Sequence, residues 1–342
     1  MSINKINKRK ILIIITIIMS FILILASLSI GSTKIKIDKI ILIFFNKIIN
    51  ANIDSNIENK DISIIWNIRF PRALLAFTVG GALSASGAVV QSILKNPLAS
   101  PYTLGISSGA SLGVGILVIS GIYIPILGNF SLALVGFLCS LLTIVLLIAF
   151  ASKVDKVLSN NTIILLGMVI SLFLNAIFTI LAALYTKDIE AVILWQMGSF
   201  SMKSWRYLKI TIPFFALGLI GVLFYLSELD ILTFGEEDAK SMGVETDKIK
   251  KHLFIFVAIL TGAAVAIGGT IGFVDLIAPH VTRKLFGSKH SYVIPMSIVL
   301  GGMLMVISDL ISRTIIIPIE IPVGAVTAII GAPFFAYLYF RK

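Results

Sequence analysis

The chain has 342 residues, 58% of them hydrophobic and 13% charged, with a mean hydropathy of +1.04, whereas average globular usage is about a quarter charged. At roughly twenty apolar residues per helical crossing, about ten crossings leave room for short loops and exclude a large soluble domain. The 28 Lys and Arg exceed the 17 Asp and Glu by a formal +11; they lie between apolar runs, which reads as topology and anionic headgroups and not as a nucleic-acid footprint.

The elements expected in chain order are all helical. Residues 1–10 form a basic inner terminus, and Ile11 to Ile30 is an uncharged first span whose Ser27 and Ser29 make only a weak cleavage site. Residues 31–72 are expected as an outer loop, with Ile40 to Ile49 as a short interfacial helix. Further spans are expected at Ala73 to Leu94, Ile106 to Ile124, Phe130 to Ala151, Thr162 to Tyr185, Ile210 to Leu226, Leu253 to Ile271, Val274 to Phe286, Tyr292 to Ile311 and Val323 to Phe340. The run at Val274 is too short to cross alone and holds Asp275, Pro279 and His280, so a broken or steeply placed helix is expected there, tolerated only where protein or water covers its freed backbone.

An even count puts both termini on one side. Lys and Arg near the span ends place that side inside: Lys5 to Lys10, Lys95, Lys153, Lys156, Lys240, Lys248, Lys250, Lys251, Arg283, Lys284, Lys289, Arg341 and Lys342 outweigh the outer set. Lys34 to Arg72 and Lys187, Lys203, Arg206 and Lys209 run against that rule. Gly81, Ala82, Ala85 and Gly87 recur at the same spacing as Gly262, Ala263, Ala266 and Gly268, each followed by a helix-breaking proline, Pro97 or Pro279. Five spans apart, the two sets read as an inverted repeat, or as small residues that pack any pair of membrane helices.

The expected spans up to Ile271 contain no Asp, Glu, Lys, Arg or His, so a carrier coupled to protons or sodium lacks its usual buried carboxylate. There is no GxxxxGK[ST], HExxH or nucleophile elbow, and energy for uphill movement must come from another chain. The one cysteine, Cys139, excludes an internal disulfide or CxxC site. His280 is alone beside Pro279, and His252 and His290 are assigned to inner loops, so no metal site is assigned. Trp66, Trp195 and Trp205 read as interfacial belt residues.

Residues 227–252 form an inner loop whose stretch Thr233 to Gly243 predicts a short helix. Thr233 and Glu236 suit a capping box, Glu236, Glu237 and Asp238 suit the positive end of the dipole, Gly243 can close the C-terminus, and a second cap is available at Thr246. Charge pattern alone leaves this helix either a solvated connector or a docked handle.

Longer motifs then carry a resemblance. Trp66-Asn67-Ile68-Arg69-Phe70-Pro71-Arg72, Gly80-Gly81, Ser86-Gly87-Ala88, Gln91, Asn96-Pro97-Leu98-Ala99-Ser100-Pro101, Leu104-Gly105 and Ser108-Gly109-Ala110 open it. Gly235-Glu236 through Gly243-Val244, Gly272-Phe273-Val274, Pro279-His280, Ser308-Asp309-Leu310, Pro322-Val323-Gly324 and Gly331-Ala332-Pro333-Phe334 continue it in order. From Trp66 onward the chain resembles the permease family for iron-siderophore, haem and vitamin B12 import. The resemblance implies an ABC importer permease: about ten helices per subunit, a second permease that is a copy or a paralogue, two ATPase subunits carrying ATP and Mg, and an external substrate-binding protein. No cofactor is expected in this chain.

By the same resemblance Glu236, Glu237, Ala239 and Gly243 belong to a coupling helix that docks on the ATPase. Arg69, Arg72 and Arg313 match arginines that meet carboxylates of the binding protein, where a planar fork suits the partner. Asn160 and Asn161, in Leu158 to Thr162, fall at the inner gate, an assignment that competes with an ordinary helix cap. The expected function is permeation of an iron chelate of the siderophore class across a bacterial plasma membrane, with cobalamin or haem as the alternative substrate. A carrier driven by an ion gradient is less favoured, and a membrane enzyme is disfavoured because no nucleophile, base or metal cluster stands at reactive spacing.

Overall fold

A computed structural model describes residues 3–31, 33–49, 58–122, 130–155 and 158–340, and among these residues the chain is helical, with no strand beyond an isolated bridge between Ile316 and Ile319. A helix lies in each expected span: α1 (Ile3–Ser29), α4 (Phe70–Ile93), α5 (Ile106–Ile119), α6 (Phe130–Val154), α7 (Asn160–Leu184), α9 (Trp205–Leu223), α12 (Thr246–Gly268), α13 (Val274–Phe286), α14 (His290–Thr314) and α15 (Val323–Phe340), with α5, α9 and α12 ending before the bounds expected for them. Shorter helices lie between them: α2 (Ile37–Ile49), α3 (Asn59–Ser63), α8 (Thr186–Gln196), α10 (Leu226–Leu232) and α11 (Glu236–Ser241). Among the described residues, seven helices are long and apolar enough to cross a membrane, and two more stretches, Ile106–Ile119 and Val323–Tyr337, are apolar but shorter. The expected end of the third span at Ile124, the outer residues 32 and 50–57, Lys156, and Arg341 and Lys342 lie outside the described residues.

α4 is the axis of the bundle and packs against α14, α12, α13 and α9. In lipid, where apolar surface gains little by leaving the solvent, close van der Waals packing of small residues holds helices together, and α4 supplies Gly, Ala and Ser for it. Its apolar stretch is 83% buried, against 11% for α7. Leu165, Val169, Leu172 and Phe173 of α7 are exposed, so that helix offers an apolar face to lipid or to a partner.

The run at Val274, expected as a broken or steeply placed helix, is one continuous helix with Pro279 inside it, because the carbonyl that the proline leaves free, Asp275 O, accepts from Gln91; the chain breaks before that run, between α12 and α13. Gly269 has φ +80° and Phe273 φ +70°, and the extended backbone between them is covered by protein, as freed backbone at membrane depth requires. The Tyr102 hydroxyl donates to Ile271 O at 2.9 Å, Ser84 to Val274 O at 3.2 Å and the Gln91 amide to Asp275 O at 3.3 Å. Gly87 permits this approach, since a Cβ there would stand 1.9 Å from the Asp275 carbonyl oxygen. Asp275 is buried against Ser100, which donates to its carboxylate.

Two ends of the bundle are distinguishable. One gathers α10, α11, the start of α7, the C-terminal end of α4 and the junction of α13 with α14: Lys95 Nζ stands 3.5 Å from where a Cβ on Gly235 would be, and Arg9 lies 4.8 Å over the Tyr292 ring. The other gathers the C-terminal end of α1, the N-terminal end of α4 and the segment after α14. α4 therefore ends where α12 begins, and the two cross in opposite directions.

Candidate functional site

At the α11 end, Gly235 (φ +148°) precedes the helix with no side-chain cap. The expected capping box does not form, because Thr233 finishes α10: its hydroxyl donates to Asp230 O at 2.6 Å. Thr246 is likewise no cap; it is the first residue of α12, and Glu245 precedes it. The C-terminus closes as Gly243 allows. Gly243 (φ +83°) donates its N–H to Lys240 O at 2.9 Å and Val244 donates to Ala239 O at 3.0 Å, the paired bonds of a Schellman motif.

The four residues assigned to coupling face different ways. Glu237 and Asp238 are exposed, with Phe234 and Met242 exposed on either side, whereas Ala239 is fully buried. Glu236 turns inward and accepts from Lys250, an ammonium with 0% side-chain exposure. Lys250 also donates to Leu158 O at 3.0 Å and to Asn160 Oδ1 at 3.1 Å. Asn160 therefore sits beside α11, while Asn161 is exposed. Asp155 accepts from Ser159 N at 3.1 Å and from the Thr162 hydroxyl at 3.3 Å, which shapes the turn into α7.

A second cluster lies at the same end. His290 begins α14 and is buried, not set in a loop: Asp230 Oδ1 accepts its N–H at 2.8 Å and lies 2.6 Å from its Nδ1, and Ser92 Oγ lies 2.6 Å from Nε2. Arg283 donates to Gln91 Oε1, to Ala88 O at 3.1 Å and to Ser92 Oγ at 3.2 Å. Gln91, Ser92, Arg283 and His290, together with Lys95 and Thr233, line a cavity of about 340 Å³. His252 sits in α12 with Nδ1 2.8 Å from the Tyr225 hydroxyl, and the ring of His280 meets the edge of Phe334.

At the opposite end the three arginines are engaged within the chain. Arg72 is buried and holds two carboxylates, Asp309 at 2.8 Å and Glu320 at 2.8 Å. Arg313 lies 3.6 Å from Asp309 and donates to Ser27 O. Arg69 is also buried, donating to Leu28 O at 2.7 Å, Ser29 O at 3.3 Å and Thr33 O at 2.6 Å, and so ties α1 to α4. Burial pushes the Glu320 carboxyl up, but the hydrogen bond and charge of Arg72 outweigh it and hold it below the usual carboxylate range. The pairs pin the segment after α14 to the bundle, and on that segment Ile315, Ile316, Ile317 and Ile319 are exposed. Trp66, Trp205, Phe44 and Phe70 pack together nearby, with Trp205 donating to Trp66 O at 2.7 Å.

Sequence reasoning treated Lys250 as one of several headgroup charges and missed Asp309 and Glu320 as partners of Arg72. The pairings span 90 and 237 residues of chain, and no local pattern announces them. The four isoleucines within Ile315 to Ile319, beyond a span yet apolar, were a readable signal of a surface that something covers.

The comparisons with known proteins agree with this architecture. The FecCD transport family model matches residues 16–341. The iron-uptake system permease protein FeuB of Bacillus subtilis is 36% identical over 83% of this chain and 84% of its own length. The cobalamin import system permease protein BtuC of Halobacterium salinarum is also 36% identical, over 80% of this chain and 73% of its own. Among solved structures, an inward-facing conformation of a metal-chelate type ABC transporter superposes with a TM-score of 0.82 at 28% identity, covering 96% of this chain and 98% of that one. A family match that spans the bundle from α1 to α15, with apolar helices arranged as in a known ABC transporter, makes this chain a multi-pass membrane permease of the FecCD transport family.

Proposed function

We propose that this chain is the membrane subunit of an ABC importer that passes an iron chelate of the siderophore class to the cytoplasm. A substrate-binding protein delivers the chelate, the pathway forms against a second permease, a copy or a paralogue, and two ABC ATPases with their ATP and Mg supply the energy. The observation that carries the reading is α11: an acidic exposed helix flanked by exposed Phe234 and Met242 at the end where the positive charges gather. It fits a handle for an ATPase, and the chain has no nucleotide motif of its own.

The α11 end is then cytoplasmic, with both termini, residues 1–10 and residues 227–252 on that side and residues 31–72 outside. The chain acts as one permease domain, residues 1–342, in a bacterial plasma membrane. The three shorter helices α5, α13 and α15 bring the crossings to about ten. The opposed directions of α4 and α12 support the inverted repeat. At the outer end, the exposed isoleucines after α14 form the docking surface for the binding protein. Arg72 and Arg313 act there by holding that segment in place, and Arg69 by fixing α1 against α4. Asn160 and Asn161 stand at the inner gate.

Cobalamin is the second reading for the substrate, because the cobalamin permease of Halobacterium is as similar to this chain as the iron permease of Bacillus. The test is to purify the tagged chain from its native membrane in mild detergent and identify its companions by mass spectrometry. A stoichiometric P-loop ATPase supports the importer reading. The co-purified binding protein is then titrated with ferric siderophores, haem and cobalamin; binding of either of the last two reassigns the substrate. A chain that purifies without an ATPase contradicts the reading.

A further inference from the structure

Lys250 lies in the first turns of α12 with no exposed side-chain surface, and it is the meeting point of three separate segments. An ammonium has three N–H groups, and here each has an acceptor: the Glu236 carboxylate on α11, Leu158 O at 3.0 Å, and Asn160 Oδ1 at 3.1 Å. A buried charge is tolerated only while it stays paired, so none of the three can part from it without leaving the charge unsatisfied. The neighbouring lysine shows the contrast: Lys248 is 70% exposed and pairs with Glu245, 66% exposed, on the surface.

The acceptor in the turn is itself unusual. Leu158 holds φ +48°, a conformation that side chains other than glycine rarely adopt and that persists only where surrounding contacts impose it. The Lys250 bond to its carbonyl is one such contact. On the other side, α11 buries one residue, Ala239, so packing anchors it lightly and the Glu236 carboxylate gives it a charged tie to the bundle.

We propose that Lys250 is a positioning residue that joins α11 to the turn at the start of α7, so that a displacement of α11 is carried to Leu158 and Asn160. The role of this joint in transport rests on the importer reading given above: an ATPase moving α11 would reach the gate through one side chain. An ammonium on a flexible stem, whose donors rotate about a point charge, suits a joint that must keep its partners while they shift.

The link is tested first in the isolated full chain, by amide hydrogen exchange of residues 158–163 in lipid nanodiscs. Glu236 does not itself bond to those residues, so its effect on them must pass through Lys250. Glu236→Gln and Lys250→Met are each expected to speed exchange there about tenfold, with Lys248→Met unchanged. Adding Glu236→Gln to Lys250→Met should then have no further effect. Exchange equal to wild type in both single variants, or a Glu236→Gln effect that persists on top of Lys250→Met, overturns the proposal. If Lys250→Met does not accumulate, Lys250→Gln, too short to hold all three acceptors, replaces it in the same design.

In the complex with ATPase and binding protein, Lys250→Met is expected to keep the ATPase attached and hydrolysing while uptake per ATP falls about tenfold. A purely structural role would lower hydrolysis and uptake in parallel, and that outcome rejects the joint. Absence of any ATPase from the wild-type complex would remove the importer reading, while the exchange experiment would still decide the link.

Discussion

The two ends of the bundle each bury a cation, and they hold it by different chemistry. At the end away from α11 Arg72 meets two carboxylates, Asp309 and Glu320, both at 2.8 Å, with Arg313 3.6 Å from Asp309. At the α11 end Lys250 meets one carboxylate and two neutral oxygens. A guanidinium is a rigid planar fork that fixes its partners in one geometry, whereas an ammonium is a point charge with rotatable donors. The difference teaches that burial of charge takes two forms here: the Arg72 knot fixes one segment in one geometry, and the Lys250 contact gathers three segments at one point charge, as the proposed joint requires.

The comparison makes graded predictions. The largest loss is expected for Arg72→Met, which strands Asp309, a carboxylate with only 4% side-chain exposure. Removing one partner of a buried pair costs about 3–5 kcal/mol, to be read from unfolding in detergent. Lys250→Met should cost less, about 1–3 kcal/mol, because Leu158 O and Asn160 are neutral and Glu236 reaches solvent. Equal losses at the two sites would erase the distinction between fixed and movable ends.

Smaller still is the effect of replacing Phe234 and Met242 together with Ala. Both are exposed, so stability should stay within about 0.5 kcal/mol, while affinity for the ATPase, measured by titration of the purified subunits, drops about tenfold. An unchanged affinity would take α11 out of the docking surface. The smallest effect is one of pH. Glu320 is held below the usual carboxylate range by Arg72, so its contribution is complete above the unfolded value of roughly 4.3 and fades as pH falls through the lower folded one. The stability difference between wild type and Glu320→Gln should therefore be constant near neutrality and close on acidification, reduced throughout by solvent screening. A difference that widened with acid would contradict the pairing.

Much of the fold was legible because hydropathy and turn residues act locally. α13 and α15 begin and end where the sequence placed them, but the break expected within the run at Val274 falls before it, at Gly269 to Phe273, and Pro279 does not interrupt α13. The helix α8 was missed because Lys187, Asp188 and Glu190 lower its hydropathy, although Ile189 and Val192, one turn apart, are the buried residues that seat it against Val114. The start of α12 was placed seven residues late for the same reason: Asp247, Lys248, Lys250 and Lys251 look like loop in a hydropathy reading and are the first turns of a helix. The site was legible as a set of segments and not as contacts. Glu236 and Asn160 were each singled out, but their junction at Lys250 is tertiary, and Arg72 and Asp309 find each other only when α4 packs against α14.

The central claim is that ATP hydrolysed on a partner chain moves substrate through this one. Its direct measurement is uptake of a radiolabelled ferric siderophore into proteoliposomes holding the permease, its co-purified ATPase and its binding protein. The account predicts accumulation that requires ATP and Mg inside the vesicle compartment facing α11 and that is indifferent to proton and sodium gradients. Accumulation that follows an imposed gradient and continues without ATP would contradict it.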